Sequence, residues 1–133
     1  MLIYLHQFVN KLKSTPAWKN KLFLISSAIG LILNLLIWAL IYLKFYPLVY
    51  NLPVEQSFIP LHYNIYIGID LFGPWQRIFF LPILGVIIFV VNTVLALFIY
   101  NKKEVISYFL AIGSTLCQSF LLVATLFTIL INI

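Results

Sequence analysis

The sequence predicts an all-α integral membrane protein of three transmembrane helices, with an N-terminal amphipathic helix and a short external loop able to fold as a β-hairpin. Three observations predict it. Of the 133 residues, 64% are hydrophobic and 8% charged, and the mean hydropathy is +1.11, well outside the composition of soluble domains. Residues 22–43, 78–100 and 108–131 form three apolar runs without a charge, each long enough for the roughly 20 helical residues that cross a hydrocarbon core of about 30 Å. Finally, the cations flank the runs unevenly. Lys11, Lys13, Lys19 and Lys21 precede the first run, and Lys102 and Lys103 follow the second. Between those two runs stand only Lys44 and Arg77, near Glu55 and Asp70. By the positive-inside rule the N-terminus is cytoplasmic, the loop between the first two spans external, the next turn cytoplasmic and the C-terminus external.

These features describe one membrane domain over residues 1–133, a multi-pass protein of the plasma membrane. The net charge of +5 is explained by threading, so no nucleic-acid partner is expected. Seven lysines against one arginine, with abundant Ile, Asn, Phe and Tyr, point to an AT-rich bacterial genome.

The segment 1–14 places Leu2, Leu5, Phe8, Val9 and Leu12 at helical spacing, with His6, Gln7, Asn10, Lys11 and Lys13 mostly opposite. This is the pattern of a helix lying on the inner leaflet. Ser14 should end it, and Thr15 should cap a new helix with Pro16 at its first position. The first span then covers residues 16–43. Its length, and the lack of a small-x-small site after it, make it an uncleaved anchor rather than a signal peptide. An external loop covers residues 44–73, and Gly73-Pro74-Trp75 opens the second span, residues 74–100, which has a potential bend at Pro82. Asn101 and Glu104 have capping-box spacing, so the turn into the third span, residues 102–131, should be tight. Cys117, the single cysteine, lies inside that span as a packed, inert thiol.

Polar residues inside the spans are few. Asn34, Asn92 and Gln118 each fall near the middle of one helix, among small or polar neighbours that include Gly30, Gly85 and Ser114. If the three amides face one another they act as interhelical glue, each hydrogen bond contributing roughly 0.6 kcal/mol. No ionisable residue lies in any span, which argues against a proton pathway. A lateral contact with another membrane protein, or a homo-oligomer, is the remaining use for such faces.

The loop holds the one stretch of period two, 59–67, and the overlapping LHYNIYIGID, residues 61–70, places apolar side chains at every odd position from Leu61 to Ile69. It reads as a strand, with residues 48–52 (LVYNL) as the partner strand and residues 53–57 as the connection. His62 and Asn64 would share the polar face, while Gly68 and Asp70 would supply turn chemistry. One histidine with Asp70 and Glu55 lacks a recognisable ligand spacing, so neither a metal nor any other cofactor is implied. Ser57 near His62 is too little for a nucleophile, and no catalytic residues are assigned.

The string LPVEQSFIPLHYNIYIGID resembles the extracytoplasmic motif of bacterial membrane proteins related to the sporulation-delaying-toxin immunity family. Pro60, His62, Tyr63, Asn64, Gly68 and Asp70 carry the likeness, with one residue more between Asn64 and Gly68 than the motif has. It covers about 25 to 50 residues, from late in the first span into the second. The resemblance implies an external domain connected with toxin resistance or signalling, in a shorter chain. The function expected is therefore non-enzymatic: recognition of a partner or ligand through the external loop, with an accessory subunit of a larger membrane complex as the alternative.

Overall fold

A computed structural model describes all 133 residues. Five α-helices and one two-stranded sheet follow in the order α1 (Leu2–Lys13), α2 (Lys21–Leu40), α3 (Tyr46–Val49), β1 (Phe58–Asn64), β2 (Gly68–Pro74), α4 (Phe80–Tyr100) and α5 (Glu104–Leu130). Three helical stretches, Lys21–Val49, Trp75–Tyr100 and Glu104–Leu130, are long and apolar enough to cross a membrane. The long helices α2, α4 and α5 form a bundle in which α5 packs along both neighbours, while α2 and α4 meet over a shorter length.

Several helix boundaries differ from those read in the sequence, each for a local reason. Thr15 caps nothing; its hydroxyl donates to the Lys11 carbonyl at 2.9 Å, and Pro16–Lys19 makes only a short 3-10 turn. The cap of α2 is Asn20, whose Oδ1 accepts from the backbone N–H groups of Leu22 and Phe23 at 3.0 and 3.2 Å, so the span begins at residue 21 rather than 16. Asn20 also donates to the Tyr100 and Tyr108 hydroxyls at 3.1 and 2.7 Å. One amide thus starts a helix and joins the ends of the other two.

Helix also continues past residue 43, where the loop was expected. Pro47 has no N–H to give to Leu43, and its ring would crowd that carbonyl in a regular helix. Just before it, residues Ile41–Phe45 widen into one π-turn, and α3 follows without a break. Pro82, expected to bend the second span, lies in the first turn of α4, where a missing donor costs little. The expected Asn101 to Glu104 capping box is absent, since Lys103 occupies the N-cap of α5 and no side chain caps it.

The bundle core is layered. At one end Ala17, Phe23, Ala96, Leu97, Tyr100 and Ala111 form an apolar cluster, and at the other Ile37, Ile41, Phe45, Ile59, Ile78 and Ile129 belong to a second. Between them lies a polar layer. The outward faces are mostly apolar, with Leu35, Val90 and Phe120 among many exposed examples. Helix α1 rests on the first end, where the Phe8 and Phe98 rings lie 5.0 Å apart and the Lys11 ammonium sits 5.8 Å from the Phe98 ring centre.

The hairpin is built differently from the expectation. Residues 48–52 finish α3 and the turn after it, and β1 pairs antiparallel with β2. A five-residue apolar run does not by itself separate strand from helix, and here the preceding helix carries through it. β1 stops at Asn64, so Ile65, Tyr66 and Ile67 form the loop instead of extending the strand. The Asn64 Oδ1 accepts from the Tyr66 N–H at 2.9 Å, and Gly68 takes φ +86°, a backbone conformation that disfavours residues with a Cβ.

Candidate functional site

Two places gather the polar residues singled out in the sequence. In the bundle centre the Asn34 Nδ2 donates to the Gln118 Oε1 at 3.1 Å and to the Pro82 carbonyl at 3.2 Å. The Gln118 Nε2 donates to the Gly85 carbonyl at 2.7 Å. Both carbonyls belong to α4, so two side-chain amides link all three long helices. Gly85 makes this approach possible: a Cβ there would lie on the Asn34 Nδ2 and 2.7 Å from the Gln118 Oε1. Gly30 plays a milder version of the same part, since its Cβ would stand 3.2 Å from the Thr115 Oγ1. Thr115 in turn donates to the Ser26 carbonyl at 2.8 Å.

Asn92 does not join this network. It sits seven residues beyond Gly85 on α4, an axial offset of about 10.5 Å, and is half-buried without a side-chain hydrogen bond in the chain. Ser114 is buried, and its Oγ is the one enclosed side-chain polar atom with no partner. The centre therefore unites two of the three amides, and its groups are neutral and almost fully satisfied. Such hydrogen bonds join helices to one another.

The second place is the hairpin. Two register shifts, one between Pro60 and His62 and one between His62 and Tyr63, make Leu61 and Asp70 the extra residues of opposed bulges. Bulges re-aim side chains, and here the Asp70 Oδ1 meets the His62 Nδ1 at 2.7 Å. Asp70 is thus a strand residue bound to His62, and its expected place in the turn is corrected. The pair is open to solvent, with the His62 side chain 62% exposed, so its contribution to stability is roughly 0–1 kcal/mol. Asn64, expected beside His62 on a shared face, spends its acceptor on the turn. Ser57 donates to the Val54 carbonyl at 2.7 Å and makes no bond to His62. No three His, Cys, Asp or Glu side chains come together anywhere in the chain.

β1 is held on the end of α5. The Asn132 Nδ2 donates to the Pro60 carbonyl at 2.7 Å, and the Thr128 Oγ1 to the bulged Leu61 carbonyl at 3.3 Å. The Trp75 N–H closes the base of the hairpin on the Ser57 carbonyl at 3.1 Å. So fixed, the hairpin overhangs a groove of about 870 Å³ between α4 and α5. Its floor includes Leu81, Phe120, Val123 and Phe127, and its rim is formed by His62, Tyr63 and Arg77. Arg77 is exposed and engages no carboxylate, the His62 to Asp70 contact being the one place where a carboxylate meets a basic side chain.

Neither the groove nor the aromatic cluster that joins the end of the first helical stretch to Trp75 and Phe79 was read in the sequence. Trp38, Tyr42, Tyr46 and Tyr50 recur every four residues, one helical face. The Trp38 and Tyr42 rings stack at 5.9 Å, and Tyr42 and Tyr46 meet Phe79 and Trp75 at 5.7 and 5.9 Å. That spacing was a usable signal.

No protein-family model, curated protein or solved structure matches the chain.

Proposed function

We propose that this is a non-enzymatic, three-span protein of a bacterial plasma membrane that recognises a ligand or partner at the groove beneath its external hairpin. What carries the reading is the groove itself: about 870 Å³ of largely apolar space with a cation, a histidine and a tyrosine confined to one edge. Such a lining, apolar with a few placed polar groups, is characteristic of ligand sites. Membrane insertion is supported by the inverted distribution of side chains, since Asn34, Gln118, Ser107 and Thr125 are buried while most large apolar residues face outward. The lysine asymmetry supports an external hairpin. The likeness of Pro60, His62, Tyr63, Asn64, Gly68 and Asp70 to the immunity-family motif fits recognition of an external agent.

A photo-crosslinking residue at Tyr63, activated in native membranes, tests this. A discrete adduct absent from a control placed at the outward-facing Leu31 is the expected result. Identical, diffuse labelling at both positions would remove the groove as a recognition site.

Asn92 favours a second reading, an accessory subunit or homo-oligomer. A half-exposed amide in the middle of an apolar helix gains from a hydrogen-bond partner on a neighbouring protein. Loss of a co-purifying protein from Asn92→Leu, with Tyr63 crosslinks intact, would mark that surface as the functional one.

A further inference from the structure

We infer that the groove under the hairpin holds an anionic phospholipid, with its phosphate on Arg77 and an acyl chain along α4 and α5. The inference rests on reading the groove as the recognition site, and it names the ligand class.

The polarity of the groove selects the ligand. Leu81, Phe120, Val123 and Phe127 line the part between the helices, and Phe120 and Phe127 are 74% and 62% exposed. These residues belong to stretches apolar enough to cross a membrane, so in a bilayer this side of the groove opens to hydrocarbon rather than to water. A water-soluble ligand would have to leave water to fill it. A lipid enters laterally with its chain already in hydrocarbon.

The other end demands an anion. Arg77 stands in the turn Trp75–Phe79 that begins the second span, at the level where headgroups lie, and its guanidinium has no carboxylate partner. A phosphate accepts the paired N–H groups of a guanidinium in a fixed geometry, which a zwitterionic headgroup shares with its own ammonium. His62 and Tyr63 stand on the same rim. Asp70 makes its one side-chain contact with His62 at 2.7 Å, and neither it nor any other carboxylate reaches Arg77. Gly73 lets the arginine lie close to the hairpin, since a Cβ at that position would stand 3.2 Å from the Arg77 Cδ.

The test uses the full chain in nanodiscs of equal phosphatidylglycerol and phosphatidylcholine, followed by native mass spectrometry of the lipid retained after mild delipidation. Retention should favour phosphatidylglycerol by about tenfold, a difference of about 1.4 kcal/mol between a phosphate free to pair with the guanidinium and one already balanced by its own ammonium. Arg77→Gln should bring the ratio near one, and Lys44→Gln, which removes an exposed cation outside the groove, should leave it unchanged. Ala124→Phe, which fills the groove while Arg77 remains, should also abolish the preference and covers the case in which Arg77→Gln does not fold. Equal retention of both lipids by the native chain, the same loss from Lys44→Gln, or full preference in Ala124→Phe would each overturn the inference. A protein adduct at Tyr63 without lipid preference would overturn the lipid while leaving recognition at the groove standing.

Discussion

Replacing Gly85 by alanine adds a single methyl group at the central point where the Asn34 and Gln118 amides tie all three long helices. The new Cβ would overlap the Asn34 Nδ2, lie 2.7 Å from the Gln118 Oε1 and stand 3.2 Å from the Leu121 Cδ1. The amides must withdraw, which breaks the Asn34 to Gln118, Asn34 to Pro82 and Gln118 to Gly85 hydrogen bonds. At roughly 0.6 kcal/mol each in a membrane bundle, these amount to about 2 kcal/mol. Overpacking costs a further ~1–3 kcal/mol, and the better helix propensity of alanine returns about 1 kcal/mol. The net loss should be about 2–4 kcal/mol. Gly113→Ala is the internal control, because a Cβ there meets nothing within 4 Å; it should be neutral or stabilising by up to about 1 kcal/mol. Denaturant titration in mixed micelles, followed by circular dichroism, measures both. If Gly85→Ala proved as stable as Gly113→Ala, the three-helix junction would not be formed as described.

The two asparagines should separate in the same assay: Asn34→Leu loses two hydrogen bonds and leaves the buried Gln118 Oε1 without a donor, at a cost of ~1–3 kcal/mol, whereas Asn92→Leu should change stability by less than about 0.5 kcal/mol. Equal losses would contradict the exclusion of Asn92 from the network. Gly68→Ala should strain the positive-φ position by ~1–2 kcal/mol, raising hydrogen exchange across residues 58–74 and leaving the α4 and α5 amides protected; uniform loosening would refute an independently closing hairpin. A cysteine at position 57 in a Cys117→Ala background should react with an impermeant reagent applied outside intact cells, and labelling only after lysis would reverse the proposed orientation.

Much of the bundle was legible because its signal is physical and crude. Three charge-free apolar runs leave few alternatives, and polar residues stranded within them must find one another. Asn34 and Gln118 do so. Asn92 shares a helix face with Gly85, but pairing also requires the same depth, and depth depends on how the antiparallel helices are offset. That offset is set by contacts distant in sequence, including Asn20 with Tyr100 and Tyr108. Helix caps failed for a related reason. Thr15 and Asn101 both have suitable local chemistry, yet α2 starts at Asn20, whose amide also bridges two other helices, and α5 starts after Lys103 with no side-chain cap.

The hairpin shows how one wrong local choice conceals a site. With residues 48–52 as the partner strand, His62 and Asp70 belong to different units and Arg77 to neither. The observed β1 to β2 pairing turns the chain back at Gly68, and the paired bulges bring Asp70 to His62. Because β2 runs directly into the turn that carries Arg77, the same pairing sets that cation beside the hairpin, where Gly73 leaves room for it. The His62 to Asp70 contact is too exposed to hold much of the fold together. Its more consequential effect is electrostatic, since it holds the Asp70 carboxylate on His62, while the groove itself is lined only by neutral or basic groups. If that account holds, Asp70→Asn should leave the bundle as stable as the native chain within about 0.5 kcal/mol and should not weaken the retention of anionic lipid. A loss of lipid preference together with intact folding would show that Asp70 positions the rim through His62 rather than merely standing aside from Arg77.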